Sequence, residues 1–197
     1  AHLMTDMLQG LGIDIGLEAC TSRFIGTKFS DVVAFVQSHG FSIDPDSFEK
    51  DYRDRCKVLF KEKLKPIPGV ISMLEGLKVP YCIASNGPKE KMEITLEAAG
   101  LHPYFPKQNI FSAYDIKKWK PEPDLFHLAS EKMGQPARNC MVVEDTIHGV
   151  KAALSADMQV AGVNIKHQEN EIKNMGVPTY VNIEGLAHDL LSNGLLG

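Results

Sequence analysis

CMVVEDTIHGVKAALSADMQVAGV, residues 140–163, is the stretch on which the fold turns. An apolar run, Cys140–Glu144, ends in two acids. A helical stretch near 146–156 follows, and a second apolar run occupies Gln159–Val163. Two short apolar runs joined by a helix form a βαβ unit on a parallel sheet. The alternation extends outward on both sides. Further runs lie at Val79–Ser85, Asn109–Ala113 and Thr179–Asn182, with helices expected near 69–77, 88–99 and 122–133. Runs this continuously apolar read as strands buried on both faces. Residues 65–197 are therefore expected to form a three-layer α/β core around a parallel sheet.

Residues 1–64 have a different character and carry no strand pattern. Leu3, Met7, Leu8 and Leu11 share one helical face, and the run stops at Gly10 and Gly12. Ser30 is placed to cap a second helix in which Val32, Val33 and Val36 recur at helical spacing before Gly40 ends it. Asp44 and Asp46 flank Pro45 and open a longer helix with Phe48, Tyr52, Leu59 and Phe60 on its inner side. A small helical domain over 1–64 is the expectation.

Composition narrows the function. With 44% hydrophobic and 23% charged residues the chain is ordinary globular protein. A net charge of −4 argues against nucleic acid as a partner, while leaving room for a small anion held by a few aimed donors. No apolar stretch approaches the ~18 residues of a membrane span. The opening AHLMTDMLQG has no basic n-region, so a secretory leader is not expected and a cytoplasmic location is. Cys20, Cys56, Cys82 and Cys140 show no C-x-x-C spacing and read as reduced thiols. The histidines show no metal-ligand spacing.

In an open parallel sheet, ligands bind beyond the carboxyl ends of the strands. Three such positions are polar. Ser85-Asn86-Gly87-Pro88 closes one strand and starts a helix, with Pro88 at its first position, offering a hydroxyl and free amides to an anion. Lys120 sits in Trp119-Lys120-Pro121-Glu122-Pro123-Asp124, where two prolines restrict the loop around a point charge. Glu144-Asp145 ends a third strand; adjacent carboxylates there repel and call for a cation, and Mg²⁺ takes such hard oxygens. Hydroxyl, fixed cation and carboxylate pair are the components of phosphoryl transfer, less a nucleophile.

The order S-N-G, K-P-x-P, V-V-E-D-T-x-x-G resembles motifs two, three and four of the haloacid dehalogenase (HAD) superfamily. The local text S-N-G-P-K-E-K-M and F-S-A-Y-D-I-K-K-W-K-P-E-P is similar to the branch holding 6-phosphogluconate phosphatase and β-phosphoglucomutase. The resemblance implies a Rossmann-like core, a helical cap over 1–64 and Mg²⁺ dependence. It implies phosphate binding by Ser85, Asn86, Gly87 and Lys120, with Lys120 also catalytic. Asp145 is then the metal ligand and Glu144 its auxiliary. Arg23 and Lys28 align with the cap loop that faces the substrate, a small phosphorylated metabolite. A monomer or homodimer is expected.

Two departures stand out. Ala156-Asp157-Met158 replaces the family's A-G-M, so Asp157 is expected to adopt the left-handed conformation. The motif-one strand ending D-x-D, with nucleophile and general acid/base, does not occur; Gly12-Ile13-Asp14-Ile15-Gly16 has a single Asp. In the family that strand is central, between the runs here at Val79–Ser85 and Cys140–Glu144, so these two runs are expected not to pair directly. The leading reading is a sugar-phosphate phosphatase acting through an aspartyl-phosphate, inactive as these 197 residues alone. A phosphomutase and a non-catalytic phosphate-binding module stay open beside it.

Overall fold

The computed structural model describes residues 2–24, 29–165 and 168–194. The chain divides into two compact units, Ala1–Leu64 and Lys65–Gly197.

The first unit is helical: α1 (His2–Gly10), α2 (Leu17–Phe24), α3 (Phe29–Ser38) and α4 (Pro45–Lys63). Its core gathers Met4 and Leu8 from α1, Cys20 from α2, Val32 and Val36 from α3, and Ile13 and Ile15 from the turn after α1. The expected cap is displaced, because α3 already includes Phe29 and Ser30 falls inside its first turn. At α4 the reading of the start is met: Asp44 caps, its Oδ2 accepting from Ser47 N at 2.9 Å, and Pro45 follows. That carboxylate's hydrogen bonds to Ser47 hold its pKa below the usual range. The outer side of α4 carries Lys50–Asp54 and Arg55–Asp51 ion pairs at i,i+4 spacing, which support the exposed helix locally. Phe48 and Tyr52 are half-buried against the core.

The second unit alternates strands and helices: α5 (Val70–Gly76), β1 (Ile83–Ser85), α6 (Lys89–Ala98), β2 (Ile110–Ser112), α7 (Ala113–Ile116), α8 (Asp124–Lys132), β3 (Met141–Glu144), α9 (Ile147–Ser155), β4 (Gln159–Val163), α10 (Glu169–Asn174), β5 (Thr179–Tyr180) and α11 (Ile183–Ser192). All pairings are parallel. β1 pairs β2 with Ile83 opposite Ile110 and Ser85 opposite Ser112; β3 pairs β4 with Glu144 opposite Gly162, and β4 pairs β5. Among the described residues β1 and β3 belong to separate ladders and no strand lies between them.

Both ladders nevertheless share the same two helical layers. Leu74 of α5 and Met92 and Leu96 of α6 cover Ile110, with Ile83 beside it, while α11 packs Ile183, Leu186 and Leu190 on Ala161 and Val163. On the opposite face Leu125 and Ala129 of α8 cover Phe111, and α9 and α10 bury Val142 and Val160 beneath Val150 and Ile172. Phe126 of α8 joins the Val142 cluster, against which Ala84 of β1 also packs. This is the expected three-layer α/β core.

Three expectations need correction. The strand expected over Val79–Ser85 is only Ile83–Ser85, and Val79 is 40% exposed. Pro88 precedes α6 as its cap residue, with extended backbone, rather than occupying the first helical position. Burial on both faces fails for β3, where Met141 and Val143 are 42% and 43% exposed while Val142 is buried. Register explains the asymmetry: Val143 shares a face with Ala161, but α11 reaches only as far as β4 and β5. All four cysteines are free, and burial, then the neighbouring Cys140, pushes the Cys82 thiol up to about 11.

Asp157, at φ +56°, occupies the left-handed region anticipated for it. Asp157→Gly is therefore expected to hold or raise the urea midpoint, whereas Asp157→Val should lower stability by about 1–2 kcal/mol. A valine variant as stable as the parent would contradict the backbone argument.

Candidate active site

Parallel strands bring Ser85, Ser112, Glu144 and Val163 to one edge of the second unit. The loops leaving that edge are tied together by side chains. Ser85 Oγ accepts from Gly87 N at 3.1 Å, closing a tight turn at the end of β1. The fully buried Ser112 donates from Oγ to Gly87 O at 2.7 Å and accepts from Tyr114 N at 3.2 Å, so β2 holds the turn of β1 and starts α7 with one hydroxyl. Asn86 spans to the next loop: its Oδ1 accepts from Lys120 N at 2.9 Å and its Nδ2 donates to Lys120 O at 3.4 Å.

The Lys120 side chain, 10% exposed, runs inward to an ion pair with Oε1 of Glu144, itself 8% exposed. Its ammonium also lies 4.6 Å from the centroid of the Phe126 ring, a cation–π contact. Thr146 Oγ1 donates to Glu144 Oε2 at 3.1 Å and accepts from Gly149 N at 3.1 Å, capping α9. Glu144 thereby sits at the amino end of α9, where the helix dipole favours a negative charge. The closeness of this packing fixes residue 149: a Cβ there would overlap the Glu144 carboxylate.

Ser85, Asn86, Gly87, Lys120 and Glu144 are thus brought together as one bonded chain. Asp145 follows at the same edge, exposed. Two of the sequence-assigned residues have protein partners. The Asn86 amide binds the Lys120 backbone through its oxygen and one N–H. Glu144, offered as an auxiliary metal ligand, has both oxygens engaged by Lys120 and Thr146, so the cation that answers its charge is a lysine. Among the described residues no cluster of three or more acids, histidines or cysteines is arranged to hold a metal ion. A cavity at the carboxyl ends of β4 and β5 is lined by Asn164, Glu169, Thr179 and Tyr180 and takes in neither Ser85 nor Lys120.

Sequence reading missed Ser112 and Phe126. Ser112 carried a signal in its position, a hydroxyl ending an apolar run as Ser85 does; Phe126 looked like any apolar helix residue. Arg23 belongs to the first unit, where its guanidinium stacks 4.6 Å from the Phe35 ring centroid, and Phe24 meets Phe35 edge-on. Lys28 lies outside the described residues. No helix among the described residues is long and apolar enough to cross a membrane.

Residues 4–163 match the haloacid dehalogenase-like hydrolase family, and the chain belongs to it. Within that family it is 34% identical over 155 residues to the 6-phosphogluconate phosphatase of Escherichia coli (strain K12), covering 78% of this chain and 70% of that protein. A HAD family hydrolase from Deinococcus radiodurans R1, solved with bound phosphate and sodium, superposes with a TM-score of 0.76 at 25% identity, over 99% of this chain and 89% of that one. A candidate β-phosphoglucomutase from Thermotoga maritima shares the fold with a TM-score of 0.83 at 21% identity, over 97% and 90%.

Removing one partner of a buried ion pair strands the other charge. Glu144→Ala is expected to cost about 3–5 kcal/mol in chemical denaturation. Gly149→Ala should cost about 1–3 kcal/mol by overpacking, and part of that loss should return in the Glu144→Ala/Gly149→Ala double variant. Strict additivity of the two would contradict the contact.

Proposed function

We propose that the protein is a cytoplasmic, magnesium-dependent phosphatase acting on a small phosphate ester, most closely a sugar phosphate. The observation that carries this reading is the single bonded chain that links Ser85, Lys120 and Glu144 at the carboxyl edge of a parallel sheet. Membership of a hydrolase family and the 34% identity to a 6-phosphogluconate phosphatase support the substrate class.

In this reading Ser85 donates its hydroxyl proton to a phosphoryl oxygen, its lone pair already held by Gly87 N. Lys120 presents its remaining N–H donors to the phosphoryl group while Glu144 and Phe126 hold the ammonium in place. A positive charge fixed before the substrate arrives needs no reorganisation as charge builds on the phosphoryl oxygens.

The donor set fits magnesium through one side chain of this sequence. Asp145 is an exposed carboxylate at the strand end, and Mg²⁺ is commonly held by one or two carboxylates plus substrate phosphate and water. Glu144 already answers to Lys120 and Thr146, so Asp145 is the carboxylate that leads the set. Bound there, the metal would neutralise charge on the transferring phosphoryl group.

The nucleophilic aspartate, and the second aspartate that serves as acid and base, are assigned to a strand outside these 197 residues, seated between β1 and β3. The separate ladders of β1 and β3 support that place. The aspartate attacks phosphorus, the alcohol leaves with a proton from the acid, and water then releases phosphate from the aspartyl-phosphate. The 1–64 unit serves as the cap; Arg23, preset against Phe35, and Lys28 read the substrate's non-reacting end.

A panel of phosphate esters assayed on the full-length protein, with and without magnesium, tests this. Turnover of sugar phosphates should require the metal, Asp145→Ala should abolish it, and Lys120→Ala should cost about 10²-fold or more. Full activity in either variant, or no hydrolysis of any ester, would overturn the reading.

A further inference from the structure

We propose that Asn86 is a positioning residue: it sets the height of Lys120 above the sheet and is not itself a ligand for the phosphoryl group. This rests on the phosphatase reading of Lys120 and goes beyond it by giving Asn86 a role of its own.

Lys120 lies in an irregular loop between α7 and α8, where no strand ladder or helix fixes its backbone. Two hydrogen bonds from one side chain do so instead. Asn86 Oδ1 takes the Lys120 N–H at 2.9 Å and Nδ2 gives to the Lys120 carbonyl at 3.4 Å, across 34 residues of sequence. The amide thereby satisfies both backbone groups of Lys120. Asn86 is in turn seated, because its neighbours Ser85 and Gly87 are bonded to one another and Gly87 is held by the buried Ser112. The far end of Lys120 is held by Glu144. The lysine is therefore anchored at its backbone from β1 and at its ammonium from β3, the strands that stand on separate ladders. An asparagine used this way gives its oxygen and one of its two amide hydrogens to the Lys120 backbone, so the side chain is oriented by the loop it holds.

Two readouts separate this role from direct phosphate contact, both on the full-length protein. Asn86→Ala should lower kcat/KM by up to about 10²-fold, the scale of a misplaced catalytic group. In a Lys120→Ala background the same change should add almost nothing, because its effect runs through Lys120. Independent ligands would instead multiply their losses to within about a factor of two. The second readout is Asn86→Asp. It keeps the acceptor for Lys120 N, so activity should stand above that of Asn86→Ala; on a direct phosphate ligand the added negative charge would place it below. Multiplicative losses, or an aspartate variant worse than the alanine one, overturn the positioning role. A Lys120→Ala variant with full activity would overturn the reading of Lys120 beneath it, a distinguishable failure.

Discussion

The buried Lys120–Glu144 pair organises the second unit's functional edge. Neither charge is tolerable alone at this depth, since each would forfeit its hydration with nothing in return. Together they require that the loop before α8 reach across to the end of β3, and that α9 begin close enough for Thr146 to complete Glu144. Gly149 follows from the same demand, because no side chain fits between α9 and that carboxylate. Asn86 and Phe126 hold the lysine from two further directions. Much of what looks like a list of motif residues is thus the support of one charge.

That support also spans the two ladders. β1–β2 and β3–β4–β5 are not hydrogen-bonded to each other among the described residues. They are kept in one frame by common helical layers, with Phe126 and Ala84 packing with Val142 on one face. The polar chain from Ser85 through Asn86 and Lys120 to Glu144 is a second tie at the carboxyl edge. A sheet joined in this manner places chemistry where its two parts face one another.

The βαβ alternation was legible because period and punctuation agree: β4 and the helices near 88–99 and 146–156 lie where the pattern puts them. Asp157 was legible through the family resemblance, which puts a glycine at that position, and aspartate is one of the few other residues that accept φ +56°. What was not legible depends on the third dimension. The short β1 and the exposed face of β3 follow from which helices reach which strand, and no local pattern encodes that reach. Adjacent acids at a strand tip did announce a cation, which the sequence reading took as magnesium, and Glu144 meets a lysine 24 residues upstream. Only geometry shows that Glu144 meets the lysine. Asn86 likewise reads as a ligand in sequence and as a brace in space.

The most direct measurement is a crystal structure of the full-length protein with magnesium and orthovanadate. The oxyanion should contact Ser85 Oγ and Lys120 Nζ, with Asp145 on the metal, Glu144 still paired to Lys120 and Asn86 still bonded to the Lys120 backbone. Vanadate bound away from Ser85 and Lys120, or a metal held without Asp145, would contradict the assignment of this edge as the phosphoryl-transfer site.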